Sequence, residues 1–217
     1  MVVGTDLPKF QLRTFVFIDR MQPQFAAFEG TMVHGEIPVE GMAELYLELA
    51  PGNEVFRIAD IALKAVNVRP GEQFVEREFG FLELHSFSQE DVREAGRVIL
   101  DRIGLTEKDR TKPYVASIQM ITEVDPYQAQ LINRFRRGSM LVAGETLFIF
   151  EVVPAAYIVL AANEAEKAAS IKIIHVAPVG RFGRLFISGT EAECLAAQEA
   201  CVQAITSLEG TPAKREG

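Results

Sequence analysis

Apolar residues recur along this chain in two rhythms, and both rhythms occur in each half. MAELYLELAP, ending at Pro51, and GETLFIFEVVP, ending at Pro154, are β-rich runs stopped by a proline that cannot donate to a ladder, which predicts two strands. After them, GNEVFRIADIALKAV and AAYIVLAANEAEKAA space apolar residues three and four apart, as amphipathic helices require. Short strands around QFVE and KIIHV, turns at EREFG and VGRFG, and the runs FLELHSF and RLFISG predict a hairpin in each half. SQEDVREAGRVILDRIG, from Ser88 to Gly104, and TEAECLAAQEACVQAITSLEG, from Thr190 to Gly210, each start at a hydroxyl cap with acidic residues behind it and end at glycine, which predicts closing helices. Extra β-like material opens each half: RTFVFIDRM then GTMVHGEIP in the first, VASIQMITEVD then GSMLVAGET in the second. The expected order is β, β, β, α, β, β, α, twice.

The two halves align without a gap when 103 is added to the residue number. Pro23 falls on Pro126, Ala26 on Ala129, Gly35 on Gly138, Gly41 on Gly144, Glu48 on Glu151 and Pro51 on Pro154. Farther on, Ala62, Lys64 and Ala65 fall on Ala165, Lys167 and Ala168, and Phe79, Gly80 and Leu82 fall on Phe182, Gly183 and Leu185. An internal repeat of this length makes each copy a folding unit. The expected units are residues 1–107 and 113–210, joined by the polar, proline-containing LTEKDRTKPY, which suits an exposed connection more than a flexible spacer, with a small polar tail at 211–217.

Composition narrows the function. The 217 residues carry 22 Lys and Arg against 30 Asp and Glu, a formal charge of -8 that disfavours a nucleic-acid backbone as partner. The longest apolar stretch, VVPAAYIVLAA, is too short to span a bilayer and runs into NEAEK, so it reads as a buried helix with no membrane partner. The first ten residues lack a basic start followed by an apolar core, so a cytoplasmic protein is expected. Cys194 and Cys201, seven apart on one helix face, are too distant for a disulfide and read as reduced core residues. His34, His85 and His175 stand far apart without a second ligand at metal spacing, so no metal is expected. Phosphate-cradling loops, nucleophile elbows and dinucleotide fingerprints are missing from the sequence, which supports neither an enzyme nor a cofactor.

The first helix carries Asp60, Lys64 and Asn67, and the second half keeps Asn163, Lys167 and Ser170 at the same places. With MQPQFAAF, ALKAVNVRPG, VEREFG, LINRFRRG, AGETLF and LAANEAEKAA, this pattern resembles the bacterial microcompartment (BMC) shell domain over about 200 of the 217 residues. Strands that precede the usual opening strand and helix are similar to the family's circularly permuted form, duplicated here. The resemblance implies an α/β, more specifically α+β and ferredoxin-like, fold of two tandem permuted BMC domains. It further implies a homotrimeric pseudohexamer that tiles with other shell hexamers and is able to stack as a dimer of trimers around a gated pore for small polar or anionic metabolites.

The same resemblance assigns roles to residues. Glu76, Arg77, Phe79 and Gly80 would bring one loop to the symmetry axis, with Glu76 and Arg77 lining and gating the pore. The aligned loop supplies Gly180, Arg181, Phe182 and Gly183, so the charged pair is not duplicated. Lys64, Asn67 and Lys167 would lie at the tile edge. Taken without the resemblance, these lysines read as solvated helix residues and Glu76 with Arg77 as an exposed hairpin pair. Arg134, Arg136 and Arg137 form a basic cluster with no assigned role. The rival from another class is a trimeric ferredoxin-like regulator that binds a ligand at subunit clefts.

Overall fold

The structure is a computed structural model and describes residues 9–212. The expectations placed on the first residues and on the end of the tail lie outside the described residues.

Each half is a four-stranded antiparallel sheet with helices. In the first, β1 (Gln11–Ile18), α1 (Pro23–Glu29), β2 (Ala43–Ala50), α2 (Glu54–Ala65), β3 (Arg69–Glu76), β4 (Phe79–Ser86) and α3 (Gln89–Ile103) follow in order, and the strands lie as β1-β2-β4-β3. The second repeats this with β5 (Tyr114–Ile121), α4 (Pro126–Asn133), β6 (Thr146–Val153), α5 (Ile158–Ala168), β7 (Lys172–Ala177), β8 (Gly183–Gly189) and α6 (Glu191–Thr206), its strands ordered β5-β6-β8-β7. The α+β class agrees with expectation.

In the first half, Leu45, Leu47 and Leu49 of β2 and Leu82 and Leu84 of β4 pack against Val55, Ile58 and Ala62 of α2 and Val92, Ala95 and Ile99 of α3. The strand's two-residue period and the helix's 3.6-residue period thus meet on one face. The opposite face sends Val16, Ile18, Tyr46 and Phe81 into a cluster shared with α1 and with Val159 and Ala162 of α5, so the two halves share apolar core.

Three expectations are corrected. The segments GTMVHGEIP and GSMLVAGET are not strands, and a short helix precedes each, so the order in both halves is β, α, β, α, β, β, α. In place of a full ladder, each segment makes a brief backbone contact with the neighbouring strand, where His34 and Gly35 donate to Gly71 and Gly138 donates to Ile174. A Cβ at Gly35 would lie 2.2 Å from the Pro70 carbonyl oxygen, and one at Gly138 2.3 Å from that of Ile173. The chain therefore crosses too closely for regular pleating. Pro23 and Pro126, missed as helix starters, occupy the first helical turn, where a missing N–H costs nothing. Helix α6 ends at Thr206 and not at Gly210, because residue 211 forms a bridge with Thr111 that takes Gly210 close to the Arg110 carbonyl. Finally, the connection between the halves is not simply exposed. Arg110 is buried and donates to the carbonyls of Phe15 and Glu209 and to Glu107, pinning the connection to both halves.

Candidate functional site

The β3–β4 hairpin turns through Arg77 and Glu78, with Glu76 paired opposite Phe79. Arg77 has φ 55°, the positive value a two-residue hairpin turn demands of its first residue. Its side chain is 87% exposed and lies 3.6 Å from the Glu76 carboxylate, an ion pair of little energetic weight in water. A weak pair on a short turn exchanges partners readily.

The aligned loop, residues 178–182, carries Gly180 at φ +107°, where glycine's freedom is required. Arg181 and Arg184 lie with their guanidinium groups 5.4 and 5.9 Å from the Phe182 ring centre. Gly80 and Gly183 are glycine for another reason. An added Cβ would stand 2.3 Å from the Gly52 carbonyl oxygen in the first case and 2.0 Å from that of Ala155 in the second, so the two glycines let β4 pass the start of α2 and β8 pass the start of α5.

The structure brings the two loops together through Arg13, a residue that the sequence did not single out. One guanidinium nitrogen donates to the Gly180 carbonyl at 3.0 Å, another meets Glu48 at 3.3 Å, and the group stacks 4.6 Å from the Phe79 ring centre. Glu48 also accepts from Thr14 Oγ1 at 2.5 Å. Burial pushes the Glu48 carboxyl up, and Arg13 and Thr14 offset this only in part. The repeat held a signal, since Arg13 aligns with Ala116 although both stand in β-rich segments.

The lysines are placed unequally. Lys64 is 75% exposed and pairs with Asp60 one turn back, at 2.7 Å, with Asn67 exposed nearby. Lys167 is held at the seam between the halves by Asp19 at 2.9 Å and Glu164 at 2.8 Å. Burial acts to lower its pKa, but those two carboxylates outweigh it and hold the lysine above its ordinary value.

That seam has a defined construction. The Glu166 carboxylate of α5 accepts from the backbone N–H groups of Gln24 and Phe25, and Asn163 accepts from Gln22 N–H while donating to the Arg20 carbonyl. The equivalent surfaces in the other direction are uncovered. On α2, Phe56 is 50% exposed where α5 has fully buried Val159, and on α4 Leu131 is 58% exposed where α1 has buried Phe28.

The other sequence-level candidates lie apart from this site. Arg136 and Arg137 donate to the Gly138 and Thr31 carbonyls. Cys194 and Cys201 are buried, and burial pushes the Cys194 thiol up to about 11. Among the described residues no three His, Cys, Asp or Glu side chains are grouped to hold a metal ion.

Residues 12–109 match the CsoS1D N-terminal domain family. The chain is 52% identical to carboxysome shell protein CcmP of Synechococcus elongatus over 200 residues, covering 92% of this chain and 94% of that one. Carboxysome shell protein CsoS1D of Prochlorococcus marinus subsp. pastoris is 45% identical, with 94% of this chain and 80% of that one covered. Among solved structures, the fused permuted hexameric shell protein MSM0275 of the RMM microcompartment superposes with a TM-score of 0.89 at 41% identity, covering 93% and 99% of the two chains. The double ringed trimeric shell protein MSM0271 of the same compartment gives 0.90 at 36% identity, covering 94% and 100%.

Proposed function

The chain belongs to the tandem, circularly permuted BMC-domain shell proteins, and from that premise we propose that it is a trimeric tile of a microcompartment shell, with loops 76–80 and 179–183 around a gated central pore. Its role is structural, as a shell component. The repeated units, taken as 1–107 and 113–210, would make three chains a pseudohexamer able to tile among shell hexamers and to stack as a dimer of trimers.

The observation that carries the ring is the unequal burial of equivalent surfaces. Within the chain, α5 of the second half covers β1 and α1 of the first. The same relation repeated between chains would seat α2 of one chain, with Phe56 and Leu63, on β5 and α4 of the next, with Ile118, Tyr127 and Leu131, all of which are exposed. Apolar groups left out on both sides of a repeated seam complete a closed ring at three copies.

In that ring three copies of Glu76 and Arg77 share one axis. Like charges there repel, so an inward Arg77 narrows the opening, and pairing each Arg77 with a Glu76 draws it aside. Small polar or anionic metabolites are the traffic this arrangement suits. Replacing both residues, Glu76→Ala with Arg77→Ala, should leave the trimer intact and the opening permanently wide in crystal or cryo-EM structures. A double variant with the same closed opening as the parent overturns the gate.

A further inference from the structure

Arg13 is four-fifths buried, its side chain 17% exposed, and it spans two loops that lie 103 residues apart in the repeat. It stacks on Phe79, two residues beyond Arg77, and holds the carbonyl of Gly180 in the partner loop. Glu48, buried behind it and bonded to Thr14, fixes the guanidinium in this position. A planar fork with one edge on a carboxylate, another on a carbonyl and its face on a ring has little freedom left.

The second half has rebuilt this position differently. Ala116 stands where Arg13 stands, the carboxylate of Glu151 is taken by Arg184 of its own hairpin, and Phe182 is met by Arg181 and Arg184. Gly180, whose carbonyl Arg13 holds, aligns with Arg77. Continuing the repeat from one chain to the next therefore sets a methyl group of Ala116 against the carbonyl of the neighbour's Arg77. A methyl group cannot donate, so no counterpart of the Arg13 tie forms there. A ring of six loops would be tied at the three places inside chains and untied at the three between them.

We propose that Arg13 is a positioning residue that joins the two pore loops of one chain into a single moving unit, so that the pore opens along the seams between chains. The proposal rests on the gated-ring reading for its consequence, while the tie itself is a property of one chain. The gate charges thereby sit at the free edge of each unit, since the Glu76 and Arg77 turn faces the untied seam and the Gly180 loop faces the tied one. Widening separates neighbouring chains and leaves the Phe79 to Gly180 spacing unchanged.

The test uses the intact trimer in three variants. Arg13→Ala is combined with Glu48→Gln, so that no unpaired carboxylate is buried. Arg13→Lys keeps the charge without the fork, and Ala116→Arg supplies a donor at the untied seam. Hydrogen–deuterium exchange of residues 179–182 should speed up about tenfold or more in the first variant, as expected for loss of a charge-assisted hydrogen bond, and by less in the second. The rest of the chain should keep its protection, which a general loss of fold would not allow. In cryo-EM classes the parent should keep one Phe79 to Gly180 distance within a chain in open and closed rings alike, and Ala116→Arg should shift the rings toward closed. Unchanged exchange at 179–182 overturns the tie, whatever the Glu76 and Arg77 variant does. Open rings that separate Phe79 from Gly180 within a chain overturn the opening along seams between chains. Failure of the gate itself shows separately, as an opening that never changes while the exchange effect persists.

Discussion

Glu29, Glu44 and Glu83 are buried together in the first half, where the aligned residues of the second are Ile132, Leu147 and Phe186. The fold therefore does not require acid at this place. Tyr46 donates to Glu29 at 2.5 Å, and Glu83 takes the Gly71 N–H at 2.7 Å and His85 Nδ1 at 2.9 Å. Among the described residues, Glu29 Oε1, both oxygens of Glu44 and His85 Nε2 have no hydrogen-bond partner. Glu72, paired with His34, and Arg137 from the second half complete the charges around them. Buried carboxyls with carboxyl neighbours avoid ionising together, which favours the protonated form of Glu29 and Glu44. Burial pushes Glu29 up to about 8, with Glu83 and Glu72 adding to it against the Tyr46 hydrogen bond, and burial likewise raises Glu44, with Glu83 the next cause. For an acid raised in the folded state, the unfolded chain releases its proton first. Stability is then full below about pH 4.5 and falls as pH rises toward about 8. Urea unfolding from pH 5 to pH 9 should show that decline. Glu29→Gln, which still accepts from Tyr46, should flatten it by an amount on the order of a few kcal/mol. A parent whose stability does not fall over this range contradicts the shared protons. None of this was legible in the sequence, because Glu44, Tyr46 and Glu48 on alternate positions of a strand read as a solvent face, and only the fold shows what lies over it.

At the scale of elements, helices α2 and α5 are one motif in two environments. Fully buried Val159 on α5 and half-exposed Phe56 on α2 occupy the same position, and Glu166, which caps α1 across the seam, aligns with exposed Leu63. Correspondingly α4 caps itself, with Asp125 accepting from the N–H groups of Tyr127 and Gln128. A seam between chains can therefore be built from apolar contact where the seam within the chain uses hydrogen bonds. Burying a Phe or Leu side chain contributes about 1.5–3 kcal/mol, and a buried unpaired charge costs more. Phe56→Asp with Leu63→Asp should accordingly give folded monomers in sedimentation velocity, with unchanged far-UV circular dichroism. Val159→Asp, at the equivalent place on α5, should instead unfold the second half. Trimers that persist in the first variant place the seam elsewhere. Strands, the long helices and the repeat were legible because hydrophobic period and caps are local. The short helices α1 and α4 were not, since seven or eight residues after a proline carry too few periods to show, and α1 takes its first-turn partners from Glu166, 141 residues away or more.

For the whole molecule, the repeat suggests a symmetry that the charges then break. Lys64 and Lys167 are aligned, yet among the described residues Lys64 pairs with Asp60 alone, while Lys167 is clamped by Glu164 from its own helix and Asp19 from the other half. An exposed helix pair is worth a few tenths of a kcal/mol, so in the proposed tiling Lys64 would be free to exchange Asp60 for a partner on another tile. Lys167 gives up two carboxylates to do the same. Edge contacts between tiles should then depend on the two lysines unequally, with three strong edges and three weak ones around each trimer. Lys64→Asp should leave trimers intact and abolish co-assembly with shell hexamers, seen as loss of sheets in electron micrographs. Lys167→Asp should leave sheets largely in place, while lowering the melting temperature because three acids, Asp19, Glu164 and the new carboxylate, then crowd the seam between the halves. Sheets lost equally in both variants would mean that Lys167 leaves its seam partners on assembly. Unchanged sheets in Lys64→Asp would take the tile edge away from α2 altogether.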